Sequence, residues 1–245
     1  MTFPINFNIG HFEISSHLVF ETLSFFIGYR YYSFLRSRQK DLIVHENRVW
    51  IIIGAAAGAF LFSRFIGVIE NPLLVKENWI WALGNKSIIG GLLGGLMGVE
   101  LVKKWIGEHR SSGDLFTLPL IVAIGIGRIG CFLAGLSDNT YGLETSLPWG
   151  IDLGDGIRRH PTNLYEICFL VLLFFSLKKM ASEKLKSGSL FKLFMVSYLS
   201  MRFLIEFIKP NQFSILSLSV IQLACLGGLI YYWKVIIFPK RSFYA

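Results

Sequence analysis

The chain has 245 residues, of which 53% are hydrophobic and only 16% are charged. Soluble domains carry roughly 25% charged residues, so this composition excludes an ordinary soluble protein and indicates an integral membrane protein. The net charge is +8, but the basic residues fall between apolar stretches, which favours membrane topology over nucleic-acid binding as their cause.

Seven apolar stretches are long enough to cross a bilayer, which takes about 20 residues. They cover about 16–34, 49–69, 87–106, 115–137, 162–179, 189–208 and 215–238. This predicts an all-α bundle of about seven transmembrane helices in a single domain over 1–245, with a structured loop or cap at about 138–161. Residues 1–10 lack a basic segment ahead of an apolar core, so we expect the first stretch to serve as the insertion signal.

The lysines and arginines predict the orientation of the bundle, because cytoplasmic loops are enriched in them. With alternating spans, sixteen of the 24 fall on the side of the C-terminus. They are Arg30, Arg36, Arg38, Lys40, Arg48, Lys103, Lys104, Arg110, Lys178, Lys179, Lys184, Lys186, Lys192, Lys234, Lys240 and Arg241. The opposite side has five, namely Lys76, Lys86, Arg158, Arg159 and Lys209. We therefore expect the N-terminus and the 138–161 loop outside and the C-terminus in the cytoplasm.

The apolar stretches contain charged residues, and intramembrane ionisable groups commonly mark functional sites. At 1.5 Å per helical residue, six of them fall in the outer half of the bilayer: Arg64, Arg128, Arg202, Glu21, Glu166 and Glu206. Two interpretations remain open. Arg–Glu pairs such as Arg202–Glu206 can hold helices together, or the residues can line a wet cavity for an anion. The shared depth favours the cavity, and the arginine fork suits a phosphate.

Four blocks of sequence resemble the prolipoprotein diacylglyceryl transferases. They are Gly127-Arg128-Ile129-Gly130 followed by Tyr141-Gly142, Arg159-His160-Pro161 leading to Glu166, Arg202-Phe203-Leu204-Ile205-Glu206, and, more weakly, Ser87-Ile88-Ile89-Gly90-Gly91. The resemblance covers roughly residues 85–210. It implies a multi-pass enzyme of the bacterial cytoplasmic (inner) membrane. Such an enzyme moves a diacylglyceryl group from phosphatidylglycerol to the lipobox cysteine thiol of a prelipoprotein and releases glycerol phosphate.

The chain departs from the family pattern at positions that handle protons. The family has a histidine before the Gly-Gly pair, where this chain has Ile89, and an asparagine where it has Cys131. The nearest acid to the family's glutamate is Asp138, and Glu21 lies near the family's tyrosine in the first span. The resemblance is therefore to a divergent member, for which we expect a difference in the acceptor or in the chemistry.

We expect Arg128 and Arg202 to bind the lipid phosphate, with Glu166 and Glu206 orienting the two arginines. The other expected substrate-binding residues are Arg64, Gly127, Gly130, Glu21, Tyr141 and Gly142. A thiol acceptor needs a base, because the thiolate is the nucleophile. The candidates for this base are His160, Asp138 and Glu21. His160 can equally be a helix-start residue that bonds to local backbone.

The three cysteines, Cys131, Cys168 and Cys225, have no metal-ligand spacing, so we predict no metal site and no cofactor. Cys131 lies one turn from Arg128 and is either a packing residue or an intramolecular nucleophile. A function from another class stays open as well: a transporter, or a lipid-binding protein without chemistry. Against a transporter, the inner half lacks the matching polar residues that a path through the bundle needs.

Overall fold

The computed structural model describes residues 3–9, 12–39, 41–72, 84–182, 185–210, 214–215, 217–239 and 243. The helices in this part of the chain are α1 (Ser16–Arg38), α2 (His45–Glu70), α3 (Ile88–Trp105), α4 (Asp114–Ala134), α5 (Thr162–Met180), α6 (Ser189–Ile205), α7 (Val220–Tyr231) and α8 (Trp233–Ile237). The predicted all-α class is confirmed. Lys40, Lys76, Lys184, Lys240 and Arg241, which entered the charge count, lie outside the described residues.

Serine side chains fix where several helices begin. Ser15 accepts a hydrogen bond from the His17 amide at the start of α1, and Ser219 forms a reciprocal capping box with Gln222 at the start of α7. Such caps satisfy amides that have no partner inside the helix. At the other end of α4, Gly135 has a φ of +62°, which favours glycine, and the chain continues as a 3₁₀ turn over Gly135–Asp138.

Helices α2 and α3 meet along a seam of small residues. A Cβ atom at Gly58 would lie 2.2 Å from the Gly94 carbonyl oxygen, and one at Gly98 would lie 2.0 Å from the Gly54 oxygen. Only glycine permits backbones to approach this closely. The seam accounts for most of the glycines that the sequence concentrates in the third apolar stretch.

Helix α4 is central in the bundle. It packs against α1 on one side and against α5 and α6 on the other. The buried core beneath it includes Ile121, Leu170, Tyr198 and Ile89, the residue at the family's histidine position. Ile89 is 1% exposed, so an apolar side chain fills that position completely.

Apolar side chains also cover the outside of the helices. Six of them, on α1, α2 and α5, are 61–71% exposed: Phe25, Phe26, Phe60, Leu61, Leu172 and Phe175. Large exposed apolar surfaces are typical of membrane contact. Within the described residues, His45–Glu70 and Asp114–Asp138 are long and apolar enough to cross a membrane by length and composition. The total of seven spans stays a prediction.

Short antiparallel hairpins lie before α1, between α4 and α5, and between α6 and α7. They are β1 (Asn6–Ile9) with β2 (Phe12–Ser15), β3 (Ile151–Asp152) with β4 (Arg158–Arg159), and β5 (Ser214–Ile215) with β6 (Leu218–Ser219). The β3–β4 hairpin lies in the 138–161 loop. This loop is tied down by the Leu143 amide, which donates to the Ile208 carbonyl at 2.8 Å. The hairpin and this hydrogen bond hold the loop against the end of α6.

Candidate functional site

Two arginines and two glutamates from three helices form one buried cluster. Arg128 of α4 places its Nε 2.8 Å from Glu166 Oε1 at the start of α5. Arg202, near the end of α6, donates from Nη1 to Glu166 Oε2 at 3.4 Å and from Nη2 to Glu206 Oε2 at 3.1 Å. All four residues are at most 5% exposed. Glu166 is thus shared by both arginines and fixes them in one space.

Tyr198 completes the cluster, and the sequence analysis missed it. Its hydroxyl donates to Glu166 Oε1 at 2.6 Å. Tyr198, Arg202 and Glu206 follow one another at intervals of four residues, so they lie on the same face of α6 and of the 3₁₀ turn Glu206–Ile208 that continues it. That spacing was visible in the sequence as a polar stripe ending in a charged pair.

The two arginines retain donors that the protein does not use. Although Arg128 Nε lies 2.8 Å from Glu166, its N–H bond is not directed at the carboxylate, and Arg202 Nε also makes no hydrogen bond. Buried polar groups are normally paired, and exceptions often have a functional explanation. The unused N–H groups can donate to an anionic ligand that enters the cluster.

Two further ionisable residues lie near the cluster. Lys209 is 8% exposed, and Glu70 at the end of α2 is close enough to interact electrostatically with Lys209, Glu206, Arg202 and Arg128. The sequence analysis placed Lys209 among the loop charges and did not select Glu70. Their proximity could not be seen in the sequence, because Glu70 and Lys209 are far apart along the chain.

Asp138 and Glu21 lie in a second polar cluster beside the first. His17 Nδ1 is 2.9 Å from Asp138 Oδ1, and His17 Nε2 is 3.7 Å from Glu21 Oε2. Glu21 also forms an ion pair with Lys86. Cys131 links the two clusters, because Arg128 Nη1 lies 3.8 Å from its sulfur. The sequence analysis did not select His17, although it occupies the first turn of α1.

His160 lies at the end of the β3–β4 hairpin. Its Nδ1 is 3.2 Å from the Tyr165 hydroxyl, which also accepts a hydrogen bond from Trp149 Nε1 at 2.8 Å. Nearby, the Arg159 guanidinium stacks over the Tyr141 ring at 5.0 Å and hydrogen-bonds to Asp155. These bonds lower the pKa of the Asp155 carboxyl below its ordinary value. This aromatic and charged group forms the surface of the loop.

The glycines of the expected site have different surroundings. A Cβ at Gly127 would meet nothing within 4 Å, so this position is open space beside Arg128. Gly130 packs against Phe20 and His17 of α1, and Gly142 packs against His160, which gives both a packing role. Arg64, which was expected with the other arginines, stacks over Phe60 one turn earlier in its own helix.

A sequence model described as prolipoprotein diacylglyceryl transferase matches residues 4–238. The chain is 30% identical over 230 residues to the phosphatidylglycerol–prolipoprotein diacylglyceryl transferase of Actinobacillus pleuropneumoniae serotype 3, covering 85% of this chain and 82% of that one. It is 28% identical over 252 aligned positions to the enzyme of the same name from Geobacter sulfurreducens, and the alignment covers 96% of this chain and 90% of that one. For the Clostridium tetani enzyme of that name the identity is 34% over 188 residues, covering 72% of each chain. The chain belongs to the prolipoprotein diacylglyceryl transferase family.

Proposed function

We propose that this protein transfers a diacylglyceryl group from phosphatidylglycerol to the thiol of a prelipoprotein cysteine and releases glycerol phosphate. The observation that carries this proposal is the buried cluster in which Arg128 and Arg202 share Glu166 and keep unused donors. Both arginines belong to the sequence blocks that resemble the family. The substrates are those that appear in the names of the related enzymes.

The arginines act on the phosphate of the lipid head group. Their unused N–H groups bind its anionic oxygens, and their fixed positive charge offsets the charge that develops on the departing phosphate oxygen. Glu166, held by Tyr198, keeps the two guanidinium groups in place, so little reorganisation is needed when the substrate arrives. The open space at Gly127 leaves room beside Arg128 for the bound lipid.

The transfer itself joins sulfur to carbon. The acceptor thiolate attacks the glyceryl carbon next to the phosphate ester, the carbon–oxygen bond breaks, and glycerol phosphate leaves with the electron pair. A base must first remove the thiol proton. The candidates are Asp138 with its neighbour His17, Glu21, and His160 on the loop.

The enzyme works as a multi-pass protein of the bacterial cytoplasmic membrane, with the cluster in the outer half of the bilayer. The exposed apolar faces of α1, α2 and α5 support contact with lipid, and the unequal distribution of lysine and arginine supports an outer N-terminus. The acyl chains stay in the bilayer while the head group enters sideways between helices.

Purified protein tests the proposal directly. Incubation with phosphatidylglycerol and a lipobox peptide should release glycerol phosphate and yield a peptide heavier by one diacylglyceryl group. Peptide with serine in place of the lipobox cysteine is the matched control and should stay unmodified. Absence of both products from correctly folded protein would contradict an enzymatic function.

The orientation has a separate test. Arg38→Cys and Gly154→Cys place single thiols at opposite ends of the bundle, in a parent from which the native cysteines have been removed. A membrane-impermeant maleimide should label Gly154→Cys in whole cells and should leave Arg38→Cys unlabelled until the cells are opened. Labelling of Arg38→Cys from outside would overturn the orientation.

The apolar residue at the family's histidine position favours a second candidate function, a non-catalytic lipid-binding protein. In that case purified protein would retain phosphatidylglycerol through Arg128 and Arg202 and leave its head group intact. The peptide assay separates the two, because only an enzyme changes the mass of the acceptor.

A further inference from the structure

Three potential metal ligands from distant parts of the chain meet beside Arg128. His17 lies in the first turn of α1, Cys131 in the last turn of α4, and Asp138 at the end of the 3₁₀ turn that follows. One ligand atom from each lies within 4.8 Å of the other two. We propose that His17, Cys131 and Asp138 bind one thiophilic divalent cation, with Zn²⁺ as the best fit, and leave one coordination position open.

The contact between His17 and Asp138 is somewhat shorter than the spacing of two ligands of one ion. Nδ1 and Oδ1 lie 2.9 Å apart, but the N–H direction at the buried Nδ1 is poorly aligned with the oxygen. In a tetrahedral zinc site with bonds of about 2.0–2.3 Å, neighbouring ligand atoms are about 3.3–3.6 Å apart and point at the metal, away from each other. Small side-chain adjustments bring the three atoms to these distances.

Neighbouring polar groups orient the ligands as they do around metals. Thr140 donates to Asp138 Oδ2 at 2.8 Å and itself accepts a hydrogen bond from Asn163 at 3.1 Å, so that Oδ1 faces His17. Glu21 lies 3.7 Å from His17 Nε2, on the side where a metal-bound imidazole usually meets a carboxylate. Both ligands therefore have a partner on the atom that does not face the proposed ion.

Charge and packing also fit. A thiolate and a carboxylate together neutralise a divalent cation, so the loaded site does not repel the Arg128 guanidinium 3.8 Å from the Cys131 sulfur. Gly130 has only hydrogen where a Cβ would lie 3.3 Å from His17 Cα, and this lets α1 bring His17 against α4. The mixed nitrogen, sulfur and oxygen set favours zinc over magnesium or calcium.

The open position suggests what the ion does, and this role rests on the function proposed above. Three protein ligands with one free position are typical of catalytic zinc sites. When bound, the ion would lower the pKa of an acceptor thiol at this position, so that the thiol would lose its proton to water. The thiolate would then attack the glyceryl carbon while the bond from that carbon to the phosphate oxygen breaks and glycerol phosphate leaves. The ion would thereby help to remove the thiol proton, a task for which the buried Ile89 has no suitable group.

Cobalt binding tests the site without any reference to activity. Full-length protein in detergent, stripped with a chelator, is titrated with Co²⁺, whose thiolate complexes absorb in the near ultraviolet. We expect one equivalent per chain, displaced by Zn²⁺ and not by Mg²⁺. Cys131→Ser should abolish the thiolate band, and His17→Ala should weaken binding at least tenfold. Cys168→Ser and Cys225→Ser are the matched controls and should bind as the parent does.

The result that overturns the proposal is Co²⁺ binding that is absent from the folded parent, or that is unchanged in both Cys131→Ser and His17→Ala. Thermal melting of each stripped variant shows whether it is folded, and Asp138→Asn serves if one of the others is not. Metal bound at this site by a protein that never releases glycerol phosphate would refute the proposed function and leave the site standing. Full transfer by protein free of metal would refute the role of the ion.

Discussion

Two charged clusters lie at opposite ends of α4, and they use arginine differently. At the start of α4, Arg48 of α2 donates to both oxygens of Asp41 and to the Ser112 carbonyl at 3.2 Å, so each of its three nitrogens has a partner. Near the other end, Arg128 and Arg202 share Glu166 and each leave Nε without a hydrogen bond. The first arginine is saturated by the protein, whereas the other two keep donors for a ligand.

This difference shows that burial alone does not separate a structural arginine from a functional one. Arg48 is 2% exposed and Arg128 is 5% exposed, so both are equally removed from solvent. What differs is the number of directed hydrogen bonds. A saturated arginine should affect folding when it is changed, and an unsaturated one should affect turnover.

The largest expected effect is on stability, from Arg48→Ala. It leaves the Asp41 carboxylate without its main partner, and breaking a buried ion pair costs about 3–5 kcal/mol. The measurement is thermal melting in detergent, with Arg38→Ala at the exposed end of α1 as the control. We expect turnover per folded molecule to stay near that of the parent. A melting temperature equal to that of the parent would show that Arg48 is not structural.

The second prediction concerns Arg128→Lys, which keeps the charge and loses the planar fork. We expect turnover to fall about 10²-fold, or about 2.7 kcal/mol, because lysine cannot offer two directed donors to one phosphate. Arg48→Lys is the matched control and should retain turnover. If the Arg128→Lys protein turns over nearly as fast as the parent, Arg128 is a structural charge like Arg48 and does not bind the phosphate.

The loop residues should have a smaller effect. His160→Ala and Asp138→Ala are each expected to lower turnover at least tenfold, about 1.4 kcal/mol. His160→Ala should change the melting temperature little, whereas Asp138→Ala should also lower it, because it removes the partner of His17. Tyr165→Phe removes the hydroxyl that contacts His160 and keeps the ring, so it separates the positioning of His160 from its chemistry. Full activity in both alanine variants would make the loop a lid and leave Glu21 as the candidate base.

The smallest effect is a pH dependence of the saturated cluster. Burial raises the pKa of Asp41, but the bonds from Arg48 and from the Ile43 amide more than offset this, so the pKa lies below its ordinary value. A lowered carboxyl pKa adds stability above the unfolded value of about 3.9, and this stability is lost as the pH falls through the folded pKa. The difference in melting temperature between the parent and Asp41→Asn should therefore be constant near pH 7 and shrink below about pH 4. A difference that grows in acid would contradict the ion pair.

The depth of each charged residue in the bilayer, counted along its apolar stretch, predicted which residues share the site. It could not predict which way each residue faces. Counting residues along each apolar stretch gives the height of a charge in the bilayer, and Arg128, Glu166, Arg202 and Glu206 were brought together on that basis. Depth does not give the angle around the bundle. Arg64, predicted at the same height, stacks on its own helix over Phe60.

The polar cluster around His17 has the same limit on its prediction from sequence. His17, Cys131 and Asp138 have no recognisable spacing, because α1 and α4 bring them together only after the helices have packed. The helices themselves were predictable, since apolar stretches of the right length have few alternatives in a membrane. The contacts between helices depend on details such as Gly130, whose missing side chain could be read but not assigned a partner.

The glycine seam between α2 and α3 has a consequence for how a lipid reaches the arginines. Backbone lies directly on backbone there, with the Gly94 carbonyl 2.2 Å from where a Cβ of Gly58 would be, so no acyl chain fits between these two helices. Helices α2 and α3 therefore behave as one rigid unit. Substrate and product must therefore pass between other helices of the bundle. Larger residues in the glycine seam would distort the enzyme without creating a lipid path between α2 and α3.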